Sequence, residues 1–349
     1  MYNFDDLALA VASFGPNNKV ILDDIGLPSI MVGVPKMRYS DIITGGTQET
    51  LPWWIVDGVE KETIWVSKFP NIVKHDRAYS LPMVDPRASI NFDTALAACR
   101  KKGNGWHLNQ NGVFAALNLW SQKNGTVPRG NTNWGRSYTH PHEKGITSYI
   151  DGSHDGGRTA AGSGPVTWSH DHSPAGIFDL CGNVWEWVSG MRLMDGEIQI
   201  IPYGNAMKST CSMAAGSTEW KAIMPDGSLV APGTAGTLKI NLASGAPQIA
   251  TSITATSSGD QWPSLPFKDL AAASDVNIPQ ILIAAGMFKE GSATYGGDRF
   301  YARNDGERLP FRGSGFGDTS SGGASAVGLY LGRSHVYTNL GFRSAYVEL

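Results

Sequence analysis

Residues 176–190 read GIFDLCGNVWEWVSG and carry two tryptophans, Trp185 and Trp187, that a single glutamate separates. Valines stand on either side of this trio. A repeat of two residues is the period of a β-strand, in which successive side chains point to opposite faces. The stretch therefore predicts a strand with both indole rings on one buried face.

Two amphipathic helices are predicted upstream of this strand. In residues 90–103, INFDTALAACRKKG, apolar side chains recur at helical spacing, Asn91 can cap the start and Gly103 can end the helix. Residues 111–125, NGVFAALNLWSQKNG, show the same spacing and end at Gly125. Helices and strand together predict an α+β fold.

The remaining segments divide the chain into parts. Residues 51–73 alternate apolar and polar side chains about an Asp-Gly turn, which predicts a β-hairpin at the start of a main domain at 51–349. Residues 1–50 hold short strand-like pieces and predict an N-terminal attachment segment. Residues 126–175 lack periodicity and predict packed loops. Residues 200–295 predict an insert that decorates the domain.

Composition excludes several functional classes. The 349 residues are 41% hydrophobic and 17% charged, with a formal net charge of -3, so no basic surplus favours nucleic acid or an anionic membrane. No apolar run approaches about 18 residues, and we expect no membrane span. The opening MYNFDDLALAVASFG has acidic residues where a secretory signal needs a basic start, so we expect no signal peptide.

Cysteines and histidines give weak signals for a metal. The chain carries three widely spaced cysteines, Cys99, Cys181 and Cys211. No CxxC pair occurs, so neither a disulfide framework nor a zinc cluster is favoured. His140, His142 and the His-Asp-His run at 170–172 could bind zinc on an extended loop. They lack helical spacing and a cysteine partner, and we expect surface histidines.

The motif DLCGNVWEWV at residues 179–188, followed by FRG and then by GFRSA near the end, resembles the formylglycine-generating enzyme-like (sulfatase-modifying-factor) domain. The helix at residues 90–103, the WHL after it and the second helix match that family in order. The resemblance covers roughly residues 50–349. It implies a C-type lectin fold, in which two helices pack on short, twisted antiparallel strands and loops are long.

The enzymes of that family oxidise a cysteine with a copper-binding cysteine pair close to the C-terminus. This chain has no cysteine after Cys211, and a thiolate pair is what binds and activates copper. We therefore expect no oxidase chemistry and no enzymatic activity. The family's iron-dependent sulfoxide synthases need a separate histidine-bearing domain, which the sequence does not show.

The same family implies a calcium site in the loop before the Trp-Glu-Trp strand. The matching positions here are Asp179, Gly182, Val184 and Glu186. Carboxylates and backbone carbonyls suit this hard cation, which takes oxygen ligands. The alternative is that Asp179 and Glu186 hydrogen-bond the loop without a metal. Any calcium would be structural, and we expect no required cofactor.

Residues 312–343 resemble the variable region of proteins diversified by diversity-generating retroelements, which commonly end in a lectin-fold domain. In these proteins a template rich in Asn codons is copied with random substitution at adenines, so Asn positions become a restricted set of residues. From Gly313 to Phe342 the chain has no Lys, Glu, Gln, Met, Trp or Pro, which is what such a code would leave. We call residues 312–343 the variable segment.

Compared with the RGGNWNN and NLNNARSN patterns of those proteins, the variable segment contains two kinds of position. The substituted positions, implied to bind ligand, are Gly315, Phe316, Gly317, Asp318, Ser320, Ser321, Gly328, Tyr330, Leu331, His335 and Tyr337. The framework positions are Arg312, Ala326, Leu329, Arg333, Gly341, Phe342 and Arg343. We expect the aromatic and acidic substituted side chains, Phe316 included, to point outward on one shallow face. The alternative is that Gly and Ser form turns and that Tyr and His are half-buried.

The resemblance implies a diversified ligand-binding protein. Tyr gives rigid amphipathic contact, while Ser, Gly, Asp and His give adaptable polar contact, as in antibody paratopes. We expect a phage or prophage receptor-binding adhesin at a tail-fibre tip, which binds a host-surface protein or glycan and joins other virion tail proteins. A homotrimer would fit a tail fibre. The alternatives are an exported bacterial surface adhesin, a formylglycine-generating-type oxidase and a structural virion subunit.

Overall fold

Helices occupy five short segments of residues 4–349, the part of the chain that the computed structural model describes. Their bounds are α1 Asp5–Ala12, α2 Tyr39–Ile42, α3 Phe92–Arg100, α4 Asn111–Asn124 and α5 Gln280–Ala284. The two helices predicted from sequence are confirmed as α3 and α4. The Asn91 side chain accepts a hydrogen bond from the Thr94 amide at 2.9 Å and caps α3. Gly125 ends α4 in the left-handed conformation, with φ at 68°.

Strands outnumber helices, and most are short. In chain order they are β1 Asn18–Leu22, β2 Pro28–Pro35, β3 Ile55–Val56, β4 Val59–Glu60, β5 Thr63–Ser67, β6 Ile72–Lys74, β7 Arg77–Tyr79, β8 Trp106–Leu108, β9 Trp185–Trp187, β10 Met191–Met194, β11 Glu197–Ile200, β12 Lys221–Ile223, β13 Leu229–Val230, β14 Lys239–Ala243, β15 Ala246–Ala250, β16 Ser264–Pro266, β17 Arg299–Ala302, β18 Glu307–Arg308, β19 Phe311–Arg312, β20 Val327–Leu329, β21 Leu340–Phe342 and β22 Ser344–Tyr346. The predicted α+β class is confirmed, with more sheet than helix.

The first sheet joins both ends of the chain. Its strand order is β1-β2-β5-β22-β8, so the last strand lies between β5 and β8. Ile30, Val32 and Val34 of β2 are buried against this sheet's core. The boundary predicted at residue 50 is therefore corrected, because the strands of residues 18–35 belong to the main domain's sheet rather than to a separate segment.

The second sheet has the order β16-β17-β20-β19-β9-β21 and contains the Trp-Glu-Trp strand. Strand β9 pairs antiparallel with β19 and parallel with β21. The rings of Trp185 and Trp187 meet the Phe311 ring edge to face, with centroids 5.0 and 5.5 Å away. Both indoles are buried. The predicted strand and its buried tryptophan face are confirmed.

The third sheet draws most of its strands from the predicted insert. Its order is β13-β12-β11-β10-β18, and β14 pairs with both β11 and β15. Ile223, Ile240 and Ile249 from these strands are fully buried in the largest hydrophobic core. The prediction that residues 200–295 merely decorate the domain is therefore wrong, because their apolar side chains help to form its core.

The face of β9 opposite the indoles holds a buried ion pair. Arg343 donates to both carboxylate oxygens of Glu186, from Nε at 2.6 Å and from Nη2 at 2.5 Å. The same guanidinium donates to the carbonyls of Ser67, Phe178 and Asp179. These bonds satisfy both charges and join the C-terminal strands to the centre of the fold.

Long loops cover the middle of the chain. Residues 126–175 form no α-helix and no strand, and their regular structure is one 3-10 turn at Val166–Trp168. The predicted packed loops are confirmed. Within residues 4–349, every helix falls short of the length and apolar character that a membrane-spanning helix needs.

Candidate ligand-binding surface

The first half of the variable segment is held by its backbone. The Phe316 carbonyl accepts a hydrogen bond from the Trp134 amide at 2.8 Å, and the Phe316 amide donates to the Asn183 carbonyl at 3.1 Å. The Thr319 amide donates to the Thr132 carbonyl at 2.8 Å. Main-chain bonds of this kind are available to every residue type except proline, which has no amide hydrogen. The path of this turn is therefore independent of most of its side chains.

The second half is held in the same way. Strand β20, Val327–Leu329, pairs with β17 on one side and β19 on the other. Beyond it, the Leu331 carbonyl accepts from the Leu309 amide at 3.0 Å, and the Tyr337 carbonyl accepts from the Ser89 amide at 2.9 Å. Backbone hydrogen bonds to residues outside the variable segment, Leu309 and Ser89, therefore hold its second half as well.

The structure divides the predicted ligand-binding positions into two groups. Exposed or half-buried, and able to touch a ligand, are Gly317, Asp318, Ser320, Ser321, Tyr330, His335 and Tyr337. Buried are Gly315, Phe316, Gly328 and Leu331. The expectation that Phe316 points outward is wrong, and in this conformation the four buried positions cannot touch a ligand.

Packing explains the buried group. Leu331 is 3% exposed and lies in the core cluster that contains Phe311. Phe316 is 4% exposed, with its ring 6.4 Å from that of Tyr149. A Cβ atom added at Gly328 would lie 2.1 Å from the Phe311 ring, which is closer than real contacts allow. These positions support the surface from below.

Three aromatic side chains, Trp262, Tyr301 and Tyr330, lie together on the surface, and we call them the aromatic patch. The Tyr330 ring centroid lies 5.6 Å from that of Trp262 and 5.7 Å from that of Tyr301. Trp262 is 59% exposed, whereas Tyr330 is half-buried and also packs on Phe311. Exposed flat aromatic area is typical of recognition surfaces.

A carboxylate lies beside the aromatic patch. Asp318 Oδ2 accepts a hydrogen bond from the Gly315 amide at 2.6 Å. Burial raises the pKa of Asp318 to about 6, while the Gly315 amide and the Trp185 indole act in the opposite direction. Burial first, and then the Asp318 charge, raise the pKa values of Tyr301 and Tyr330. The surface thus places a hydrogen-bond acceptor close to two phenol groups.

His335 and Tyr337 extend this surface. Their rings are stacked, with centroids 6.5 Å apart and planes 20° apart. Tyr337 is 44% exposed, and it contributes, after burial, to the raised pKa of Tyr330. His335 and Tyr337 therefore lie next to the aromatic patch.

Sequence reasoning missed Trp262 and Tyr301, which lie outside the variable segment. Trp262 is the lone aromatic residue in the polar stretch TSSGDQWPS, residues 256–264. A large aromatic residue without apolar neighbours was the available signal, since a core residue seldom stands alone in such a stretch. Arg303 supports this loop by donating to the Gln261 carbonyl at 3.4 Å.

The predicted calcium ligands have other partners in the structure. Both oxygens of Glu186 accept bonds from Arg343. Asp179 Oδ2 accepts from the Gly162 amide at 2.8 Å, and burial raises the pKa of Asp179 to about 6. Among residues 4–349, no three His, Cys, Asp or Glu side chains are grouped to hold a metal. Calcium at Asp179 and Glu186 stays a prediction.

The loop histidines and the cysteines make local contacts. His170 Nδ1 accepts from the Ile177 amide at 2.9 Å, and burial lowers the pKa of His170 to about 4. His172 Nε2 lies 3.1 Å from the Val127 carbonyl. All three cysteines are free and buried, and burial raises the pKa of each thiol. A neutral, buried thiol is a poor nucleophile.

No protein-family model and no curated protein matches the chain. Solved structures that match it include the Major Tropism Determinant U1 Variant, with a TM-score of 0.33 and 10% identity, covering 91% of this chain and 63% of that one. Treponema denticola variable protein 1 has a TM-score of 0.35 and 10% identity, covering 96% of this chain and 100% of that one. PvdO from Pseudomonas aeruginosa has a TM-score of 0.30 and 12% identity, covering 95% and 98%.

The chain spans 63% of the length of the Major Tropism Determinant U1 Variant. Identities of 10% and 12% do not transfer a ligand or an activity. The function proposed next therefore rests on the contacts of the variable segment itself.

Proposed function

We propose that this chain is the variable protein of a diversity-generating retroelement and that it binds its ligand through the variable segment. The observation that supports this is the separation of roles within the segment. Backbone bonds to Thr132, Asn183 and Ser89 hold it in place, while Ser320 and Tyr337 face solvent. Exposed side chains can then be exchanged without loss of the fold, as diversification requires.

The chemistry of the surface suits recognition. The aromatic patch supplies rigid, amphipathic area at low entropic cost, and Asp318, Ser320 and Ser321 supply polar groups that can adapt to a partner. His335 adds a donor or acceptor at the edge. We propose a host-surface protein or glycan as the ligand, without a required cofactor.

The scaffold proposed for this surface is a C-type lectin fold of the formylglycine-generating enzyme-like branch. Two features support it. Strand β9 lies between β19 and β21 with its tryptophans buried, and helices α3 and α4 occur in the order that the branch resemblance implies. In this scaffold the tryptophan strand contributes packing and no chemistry.

The proposed place of action is the tip of a phage or prophage tail fibre, with a homotrimer joined to other tail proteins. The alternative is the surface of a bacterial cell. Fractionation separates the two: mass spectrometry should find the protein in purified virions. Detection in bacterial envelopes alone would favour the alternative.

We also propose that the protein is not an enzyme. The three buried cysteines form no pair that could hold copper. Incubation with a cysteine-containing sulfatase-motif peptide, copper and oxygen should leave the thiol intact. Formylglycine in the mass spectrum would overturn this part of the proposal.

Binding to host cells tests the proposal directly. Tyr337→Ser removes an exposed aromatic side chain from the variable segment, and loss of an aromatic hot spot typically weakens binding by about 2 kcal/mol, or roughly 30-fold. The matched control is Tyr203→Ser, because Tyr203 is 48% exposed but lies outside the variable segment. Equal binding by both variants would show that Tyr337 is not part of the contact surface.

Neighbouring DNA gives a second test. A reverse-transcriptase gene and a near-copy of the codons for residues 312–343 should lie close by. Differences between copy and gene should fall at template adenines and change exposed positions such as Ser320 and Tyr337. Absence of both elements would contradict the retroelement.

A further inference from the structure

A cavity of about 380 Å³ lies beside the turn Thr319–Ser321 of the variable segment. Its walls come from four places: the loop 127–140, Cys181, the segment 294–298 and the variable residues 319–324. Ligand pockets typically measure from about 300 to 1,000 Å³. The cavity is thus large enough for one side chain or small group of a bound partner, and Ser320 lies at its wall.

Most of the charge along the cavity is already paired. Arg129 donates to Glu143 from Nη2 at 2.5 Å and from Nε at 3.0 Å. Glu143 also accepts from the Trp168 indole at 3.1 Å. His140 contacts the Thr139 hydroxyl at 3.0 Å. The charge of Arg129 is therefore neutralised by Glu143, which lies outside the lining, and Asp298, the carboxylate among the lining residues, has no counter-charge there.

The Asp298 carboxylate accepts a hydrogen bond at one oxygen and packs against Gly323 at the other. Oδ2 accepts a hydrogen bond from the Ser325 amide at 2.8 Å. Oδ1 accepts none from another residue of the described chain, and a Cβ added at Gly323 would lie 2.0 Å from it. The glycine thus lets the carboxylate sit against the variable turn. Burial raises the pKa of Asp298 to about 7, so the group is ionised in mildly alkaline solution.

The lining selects the kind of ligand. Val127, Pro128 and Tyr295 supply apolar wall, which suits an alkyl stem that ends in a charge. A guanidinium prefers two carboxylate oxygens, whereas an ammonium is a compact charge that needs one. Since the Ser325 amide occupies Oδ2, the geometry favours an ammonium. A metal ion would need more oxygen ligands than this single carboxylate provides.

We propose that this cavity is a subsite for an alkylammonium group, the side chain of a lysine on the surface of a protein ligand, and that Asp298 Oδ1 accepts its hydrogen bond. This inference rests on the proposed function, because the cavity serves a partner seated on the variable segment. It also makes the protein, rather than the glycan, the favoured ligand class. Ser320 at the cavity wall would let diversification tune access to a constant acidic contact.

Three probes test the subsite by NMR titration of the intact protein at about pH 8. They are Nα-acetyl-lysine N-methylamide, its norleucine counterpart without the charge, and its arginine counterpart. We expect the lysine probe to bind about ten-fold more tightly than the norleucine probe, which corresponds to one charge-assisted hydrogen bond. The arginine probe should bind more weakly than lysine. Equal binding of lysine and norleucine probes would overturn the proposal.

The variant Asp298→Asn should lose the preference for lysine over norleucine. The matched control is Asp275→Asn, which removes the same charge at an exposed position away from the cavity. An unchanged preference in Asp298→Asn would also overturn the proposal. Because the wild-type protein alone separates the probes, an unfolded variant does not remove the test. Failure here leaves the Tyr337→Ser binding result standing, so the two proposals can fail separately.

Discussion

Strand β9 and the variable turn at residues 315–321 lie close together but use their side chains in opposite ways. In β9 the side chains hold the fold, through indole packing on Phe311 and the Glu186–Arg343 ion pair. In the turn, main-chain hydrogen bonds to neighbouring loops hold the chain in place, and several side chains face solvent. The difference teaches that surface residues are free to change where the backbone has its own partners.

The largest expected effect is on the strand side of this comparison. Arg343→Met leaves Glu186 as an uncompensated buried charge, and breaking such a pair typically costs about 3–5 kcal/mol. Denaturant unfolding measures this loss. The matched control, Arg136→Met, changes an exposed arginine and should stay within about 0.5 kcal/mol. Similar free energies of unfolding for the two variants would show that the ion pair does not stabilise the fold.

Trp187→Ala tests the packing side of the same strand. The indole is fully buried, and its N–H donates to the Ile90 carbonyl at 3.0 Å. Large-to-small changes of buried tryptophan cost about 3–5 kcal/mol. Trp262→Ala serves as the control, since that exposed ring should affect thermal unfolding far less. A larger shift in melting temperature for Trp262→Ala would reverse the assigned roles.

Two tyrosines within the variable segment allow the same comparison between a side chain that supports the fold and one that faces solvent. Tyr330 is half-buried between Trp262, Tyr301 and Phe311, so Tyr330→Ser should destabilise by about 1–3 kcal/mol. Tyr337 is more exposed, and Tyr337→Ser should change stability by less than about 0.5 kcal/mol. Denaturant unfolding curves of the two variants, recorded under the same conditions, measure the two losses of stability. Equal losses would mean that both positions support the fold.

The last expected effect is a pH dependence at Asp318. Burial raises the pKa of this carboxyl from its ordinary 3.8 to about 6 in the folded protein. The folded state therefore holds the proton more tightly, and this stabilising contribution is present below about pH 4 and is lost as the pH rises through 6. Asp318→Asn should remove that part of the slope.

Unfolding free energies at several pH values between 4 and 7 check this sign. The wild type should lose stability relative to Asp318→Asn as the pH rises. Asp275→Asn is the control, because its side chain is exposed. A difference that grows in favour of the wild type with rising pH would contradict the raised pKa.

Much of the framework could be predicted from local sequence. Asn91 at the start of α3 and Gly125 at the end of α4 act through backbone bonds of their own helix, so spacing alone identified them. The alternation of tryptophans in β9 likewise follows from the two-residue repeat of a strand, which is a local property of the sequence. The core role of residues 200–295 was missed, because it depends on pairing between strands that are distant in the chain.

The candidate surface was predictable in part. The variable segment was located from composition and motif resemblance, but Phe316 and Leu331 were placed outside although they are buried. Exposure depends on which neighbours close over a turn, and sequence order does not contain that information. For the same reason the sequence did not predict that Trp262 lies in the aromatic patch or that Asp298 lines the neighbouring cavity.

By itself, the sequence determined the helix ends and the tryptophan strand, since these follow from short-range periodicity and capping, whereas the variable segment stays a prediction from resemblance. The tertiary structure alone decided that Glu186 faces Arg343, that Gly328 lies under the Phe311 ring, and that Asp298 lines a cavity beside the variable turn. Each of these joins residues separated by a loop or by much of the chain. Burial, charge pairing and cavity shape depend on distances in space, which only the folded chain sets.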